Sequence, residues 1–123
     1  MRFGFSHNKI TVLDIEKSLK FYADALNLKE RFRKERPDYT VVFLSDNGLT
    51  NHNLEIKWYH NRTKSFDLGE NQVHLAMFTD EFEKAHEKHL AMHCIAFNSK
   101  TSEAYFIKDP DGYLIEIIPA SIR

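Results

Sequence analysis

The sequence predicts an α+β fold in which one βαβββ unit occurs twice. Short stretches in which apolar and polar residues alternate are typical of strands, and two longer stretches repeat apolar residues at the helical spacing of about 3.6. The order of one strand, one helix and three strands is found both before and after a polar segment. We therefore expect a single domain, 1–123, made of modules 1–60 and 72–123 that are joined by a linker over 61–71.

The first module starts with an alternating strand over 5–12, followed by a helix over 15–26. Asp14 occupies the N-cap position of that helix, because it directly precedes an apolar stripe and its carboxylate can accept hydrogen bonds from the first turn. Stretches rich in β-branched and aromatic residues, separated by turns of Pro, Asp, Asn and Gly, predict the remaining strands. These strands lie at 28–33, 39–44 and 54–59.

The second module repeats this order after the linker. We expect a strand over 72–79, an N-cap at Asp80 and a helix over 82–92. The last three strands are predicted at 94–97, 103–107 and 113–118. The turn before the final strand is Asp109-Pro110-Asp111-Gly112, in which Pro and Gly stand where a tight reversal favours them.

The composition excludes several classes of function. Seventeen basic and eighteen acidic side chains leave a formal charge of −1, so the chain lacks the basic field that nucleic acids select. No apolar run approaches the ~18 residues that span a bilayer, and the N-terminus has no signal-peptide pattern. Cys94 is the only cysteine, which excludes an internal disulfide and a cysteine-based metal site. We therefore expect a cytoplasmic protein that binds neither nucleic acid nor membranes.

Each module carries a histidine at the middle of its predicted first strand and a glutamate at the middle of its last. The four residues are His7 and Glu55 in the first module and His74 and Glu116 in the second. Alternate residues of a strand point to opposite faces, and the apolar neighbours of these residues are needed to cover the helix. In the second module Val73, Leu75 and Met77 would take the helix side. We therefore expect all four side chains on the face turned away from the helices.

Two neutral imidazoles and two carboxylates form a ligand set that suits a divalent ion such as Ni²⁺, Co²⁺ or Zn²⁺. The two negative charges balance the charge of the ion. Four protein ligands around a six-coordinate ion would leave two positions for water or substrate, as Lewis-acid catalysis requires. The hypothesis rests on the repetition of the pair, since a single charged residue on a strand more often faces solvent.

With these residues the sequence resembles the vicinal oxygen chelate superfamily and, within it, the short nickel-type glyoxalase I (lactoylglutathione lyase) enzymes of bacteria. The matching pieces span nearly the whole chain: the His7 strand, Leu54-Glu55-Ile56, His74-Leu75-Ala76, and Asp109-Pro110-Asp111-Gly112-Tyr113 before Glu116. The resemblance implies curled mixed sheets and a homodimer with metal sites at the subunit interface. The metal ligands that it implies are His7, Glu55, His74 and Glu116.

The resemblance also implies an activity. Glyoxalase I isomerises the hemithioacetal of a 2-oxoaldehyde, methylglyoxal, and a thiol to an S-2-hydroxyacyl thiol, with nickel or zinc, or else cobalt, as the metal cofactor. Glu116 or Glu55 would remove the C1 proton and return it to C2. Glutamate at position 55 favours this lyase over extradiol dioxygenases and fosfomycin-resistance enzymes, which have three protein ligands. A metal-dependent dioxygenase and a non-catalytic, bleomycin-resistance-like binding protein stay open as alternatives.

Four residues are candidates for substrate contacts. Glutathione-using members have an Arg four residues after the first His and an Asn four residues after the first Glu, and here those positions are Thr11 and Tyr59. Lys9 and Lys57 lie on the predicted ligand face and could supply positive charge instead, without the fork geometry of Arg. The sequence therefore leaves the identity of the thiol open.

The second helix contains a weaker candidate for metal binding. His86, His89 and His93 are spaced to share one helix face. We favour their interpretation as partly buried or surface histidines beside the apolar residues of that helix. Cys94 has no base partner in the sequence pattern, so we do not expect it to be a nucleophile.

Overall fold

The computed structural model describes residues 1–99 and 103–122. The chain forms two compact units, which divide between Phe66 and Asp67, inside the segment predicted as a linker. No regular element lies between residues 60 and 74. None of the helices in the described ranges has the length and apolarity needed to cross a bilayer.

The first unit contains one helix and four strands. They run in the order β1 (His7–Val12), α1 (Ile15–Leu26), β2 (Lys29–Glu35), β3 (Tyr39–Ser45) and β4 (Asn53–Tyr59). The sheet order is β1-β4-β3-β2. β1 and β4 pair in parallel, and the other two pairings are antiparallel. The helix between β1 and β2 makes this parallel pairing possible, because parallel strands need a long crossover connection.

The second unit has the same topology. It consists of β5 (Leu75–Thr79), α2 (Phe82–Ala91), β6 (Ile95–Asn98), β7 (Tyr105–Lys108) and β8 (Leu114–Pro119). The sheet order is β5-β8-β7-β6, with β5 and β8 parallel. A short 3₁₀ helix over Ala120–Ile122 follows β8. The predicted α+β class with two βαβββ modules in mixed sheets is confirmed.

The helix α1 forms as its sequence predicts. The Asp14 carboxylate accepts a hydrogen bond from the backbone N–H of Lys17 at 3.1 Å, and Asn27 ends the helix with a left-handed φ of 56°. Ile15 and Tyr22 are buried on its inner face. Val12 and Ile56 are also completely buried, on the side of the sheet opposite to Glu55.

The start and end of α2 differ from the sequence prediction. Its N-cap is Glu81 rather than Asp80, because the Thr79 hydroxyl accepts from the Glu81 N–H at 3.1 Å and forms the turn that precedes the helix. The helix ends at Ala91, and His93 lies beyond it with a positive φ of 57°. The prediction that His86, His89 and His93 share one face of this helix is therefore wrong.

His89 belongs to the core of the second unit. Its side chain is 1% exposed, and its Nδ1 atom lies 2.8 Å from the hydroxyl of the buried Tyr105. His86 packs against the same tyrosine ring. Burial raises the pKa of the Cys94 thiol above its usual value.

The strand β5 is shorter than predicted. It begins at Leu75, which pairs with Ile115, so His74 precedes the first paired residue. Val73 is 90% exposed and does not cover the helix, contrary to our expectation. The alternation of residues 72–74 resembles a strand, but no partner strand extends beside them in the described chain. The other strands have ends within two residues of the predicted ones.

The turn between β7 and β8 has the predicted geometry. The Gly112 N–H donates to the Asp109 carbonyl at 3.1 Å, with Pro110 at the second position of the turn and Gly112 at a φ of 93°. The Asp109 side chain is buried, and its Oδ1 atom accepts from the N–H groups of Asp111 and Tyr113, each at 2.9 Å. This carboxylate therefore fixes the start of β8.

We expect Asp109→Ala to lower the free energy of unfolding by about 1–3 kcal/mol, because two backbone N–H groups lose a buried acceptor. Chemical denaturation followed by circular dichroism measures the change. Asp109→Asn is the matched control: it keeps one side-chain oxygen and should lose less. Equal stability of Asp109→Ala and the parent protein would contradict this account of the turn.

Candidate functional site

His7 and Glu55 lie side by side on one face of the first sheet. His7 is the first residue of β1 rather than its middle, and Glu55 lies in the middle of β4 between the buried Leu54 and Ile56. The His7 Nε2 atom is 3.2 Å from Glu55 Oε1. The side chains are 39% and 15% exposed, so a solute can reach the pair.

His74 and Glu116 form the corresponding pair in the second module. His74 Nε2 is 3.8 Å from Glu116 Oε1, and the side chains are 36% and 26% exposed. Glu116 lies on β8 between Ile115 and Ile117, which are both buried. His74 directly precedes β5, so it lies beside Glu116 at the end where the pairing of β5 and β8 begins.

The parallel pairing explains why the arrangement recurs. Glu55 pairs with Lys9 and Glu116 pairs with Ala76, so each histidine lies two residues before the partner of its glutamate. Residues two apart along a strand share a face. The structure thus brings each histidine next to the glutamate of its own module.

Two phenylalanines complete this arrangement, and the sequence analysis missed both. Phe43 pairs directly with Glu55 across β3 and β4, and Phe106 pairs directly with Glu116 across β7 and β8. Directly opposed residues of antiparallel strands share a face, so each phenylalanine adjoins a His–Glu pair. The signal that could have found them is positional: both stand at corresponding places on the third strand of their module.

The candidate substrate residues all lie on the face of the first sheet that carries His7 and Glu55. Lys9 pairs with Glu55, Thr11 pairs with Lys57, and Tyr59 follows Lys57 by two residues on β4. The Lys57 Nζ atom is 4.4 Å from the centre of the Tyr39 ring and 4.7 Å from that of the Tyr59 ring. Cation–π contacts of this kind hold an ammonium group in place.

The surroundings of Lys57 favour the charged ammonium form of its side chain. A hydrogen bond with the Tyr59 side chain raises the pKa of Lys57 above its usual value; burial opposes this increase, and the Glu55 carboxylate adds to it. The ammonium form therefore persists to higher pH than in an isolated lysine.

The corresponding face of the second module has apolar residues beside its His–Glu pair. The residues that correspond in register to Lys9, Thr11 and Lys57 are Ala76, Phe78 and Ile118. The duplicated modules thus share their His, Glu and Phe but differ beside them. The first module offers positive charge near its glutamate, and the second offers hydrocarbon.

The His7–Glu55 pair has the spacing of two ligands of a divalent ion, whereas the His74–Glu116 pair is wider, at 3.8 Å. Two ligands at right angles around an ion with bonds of about 2.1 Å lie roughly 3 Å apart, close to the 3.2 Å between His7 and Glu55. Imidazole nitrogen and carboxylate oxygen are ligands that nickel, cobalt and zinc accept. Within residues 1–99 and 103–122, no group of three or more His, Cys, Asp or Glu side chains is arranged to hold an ion. Each module therefore supplies a pair of donors.

Known proteins share both the sequence and the fold of this chain. Residues 4–117 match the model of the Glyoxalase/Bleomycin resistance protein/Dioxygenase superfamily. A probable lactoylglutathione lyase of Synechocystis is 32% identical over 95% of each chain. A lactoylglutathione lyase of Neisseria meningitidis is 31% identical over 91% of this chain and 87% of its own.

A solved structure agrees with these sequence relatives. The trypanothione-dependent glyoxalase I of Leishmania major superposes with a TM-score of 0.86 at 25% identity, over 98% of this chain and 89% of the Leishmania chain. The similarity thus spans both modules.

Proposed function

Since this chain belongs to the glyoxalase/bleomycin resistance/dioxygenase superfamily, we propose that it is a glyoxalase I-type lyase that depends on a divalent metal. Its reaction is the isomerisation of the hemithioacetal of methylglyoxal, or a related 2-oxoaldehyde, and a thiol to an S-2-hydroxyacyl thiol. The observation that carries the proposal is the His–Glu pair that recurs at the same register in both modules. Relatives named lactoylglutathione lyase support the same activity.

The metal would be held by His7, Glu55, His74 and Glu116. Two protein ligands alone hold a divalent ion weakly. Each ion would therefore need the His–Glu pair of a first module and the His–Glu pair of a second module. We propose that the protein is a cytoplasmic homodimer that brings these pairs together, with the metal sites at the subunit interface. Nickel or zinc suits two imidazoles and two carboxylates, and cobalt is also compatible.

The two glutamates would carry the proton transfer. When bound, the metal would polarise the oxygens of the hemithioacetal and stabilise the negative charge that develops at them. Glu116 or Glu55 would take the proton from C1 and return it to C2, while the proton of the C1 hydroxyl passes to the C2 oxygen. C1 then becomes the thioester carbonyl and C2 carries the hydroxyl group. The partly exposed carboxylates lie on an open sheet face, where a substrate can reach them.

The first module would bind the polar part of the thiol. Lys57 is held between two tyrosine rings, and Lys9 and Thr11 lie beside it on β1. Positive charge at this place suits a thiol that carries an acidic group. The single ammonium of Lys57 differs from an Arg fork, so we expect a thiol preference that differs from that of enzymes with Arg and Asn at positions 11 and 59.

We expect protein stripped by a chelator to lose activity and to regain it with Ni²⁺, Co²⁺ or Zn²⁺. The measurement is thioester formation from methylglyoxal and each of several thiols, for every metal. If none of these metals restores turnover, the result would contradict the proposal and favour a binding protein. Oxygen consumption that requires Fe²⁺ or Mn²⁺ would instead indicate a dioxygenase.

Glu116→Gln should lower kcat of the metal-loaded protein by roughly 10²–10⁴-fold, because the amide cannot accept the C1 proton. Circular dichroism should show an unchanged fold, since Glu116 lies at the solvent-facing side of β8. Glu70→Gln, on an exposed residue of the linker, is the matched control and should keep parent activity. Near-parent turnover by Glu116→Gln would remove Glu116 from the role of base.

A further inference from the structure

Each proposed histidine ligand packs against the ring of the phenylalanine on the neighbouring third strand. The His7 and Phe43 ring centres are 5.2 Å apart with the planes at 75°. The His74 and Phe106 ring centres are 5.0 Å apart with the planes at 86°. Both are edge-to-face contacts, a geometry that aromatic pairs favour.

The phenylalanine rings are themselves supported. Phe32 packs against Phe43 with ring centres 5.9 Å apart, and Phe97 stacks on Phe106 at 4.7 Å. In both modules the register of the edge strand shifts just before this supporting residue. Register shifts of this kind often change the direction of a neighbouring side chain. Both modules therefore build the same row of His, Phe and Phe.

A metal-binding histidine usually has its second ring nitrogen held by a hydrogen bond, which fixes the orientation of the ring. His7 has a limited form of this support, because its Nδ1 atom lies 2.9 Å from the hydroxyl of its exposed neighbour Ser6. Within the described parts of the chain, the Nδ1 atom of His74 has no hydrogen-bond partner. Among the described residues, the contacts of the His74 ring are therefore the edge-to-face contact with Phe106 and the 3.8 Å approach to Glu116.

We propose that Phe43 and Phe106 are positioning residues, which hold the imidazoles of His7 and His74 with Nε2 directed at the neighbouring glutamate. This inference rests on the proposed function, because it assigns the residues to a metal site. The fixed ring lowers the entropy lost when the pair takes up an ion. The contribution is larger in the second module, where no other residue of the ranges 1–99 and 103–122 forms a hydrogen bond with the Nδ1 atom of the imidazole beside Phe106.

The test compares Phe106→Leu and Phe43→Leu with the parent protein. Leucine keeps an apolar side chain but removes the flat ring. Phe106→Tyr is the conservative variant that restores the ring, and Phe21→Leu on α1 is the control for general loss of an aromatic side chain. The readouts are the Ni²⁺ dissociation constant from competition with a chromophoric chelator, and the kcat and KM of the protein saturated with Ni²⁺.

We expect Phe106→Leu to weaken Ni²⁺ binding by about 10–100-fold, as loss of other groups that orient metal ligands does. Phe43→Leu should weaken it less, and Phe106→Tyr and Phe21→Leu should stay near the parent value. Once saturated with Ni²⁺, Phe106→Leu should keep the parent KM. Parent-like Ni²⁺ affinity of Phe106→Leu would overturn the inference, as would a larger loss in Phe43→Leu.

A second readout needs no metal. In the metal-free protein, NMR should detect nuclear Overhauser effects between the His74 ring and the Glu116 side chain in the parent and in Phe106→Tyr, and not in Phe106→Leu. Their persistence in Phe106→Leu would overturn the inference. A parent protein that binds no divalent ion and has no lyase activity would instead defeat the proposed function, so the two failures are distinguishable.

Discussion

The parallel pairing of the first and last strands of each module is the constraint on which the site depends. It fixes the register between the histidine strand and the glutamate strand, and a slip of one residue would turn every side chain to the other face. Such a slip would expose Ile56 or Ile115 and bury the neighbouring glutamate. The hydrophobic core therefore enforces the position of the polar pair.

The duplicated scaffold separates what is common from what is specific. Both modules keep the His–Glu pair and the phenylalanine that packs on the histidine, whereas the residues beside them differ. Lys57 corresponds to Ile118, so one module presents an ammonium group where the other presents hydrocarbon. The residue proposed to bind the metal, Glu55, and the residue proposed to bind the thiol, Lys57, thus occupy different positions of β4. Substitutions at one position can therefore occur without a change at the other.

Sequence patterns predicted the element order and the placement of α1 well, because its cap and apolar stripe agree with each other. They failed where tertiary context decides. Val73 fits the alternating pattern of a strand, but no strand lies beside it in the described chain. The N-cap of α2 is Glu81 rather than Asp80, because Thr79 forms the turn that precedes the helix. Phe43 and Phe106 were missed although they stand at corresponding places in the two modules, because their contact with the His–Glu pairs depends on the cross-strand register.

The central claim is that two imidazoles and two carboxylates, one pair from each kind of module, bind the same ion. X-ray absorption spectroscopy of protein loaded with one equivalent of Ni²⁺ per chain measures this most directly. We predict a six-coordinate nitrogen and oxygen shell with two imidazoles, and with one imidazole fewer in both His7→Ala and His74→Ala. A spectrum with one imidazole or none, or one that either substitution leaves unchanged, would contradict the account.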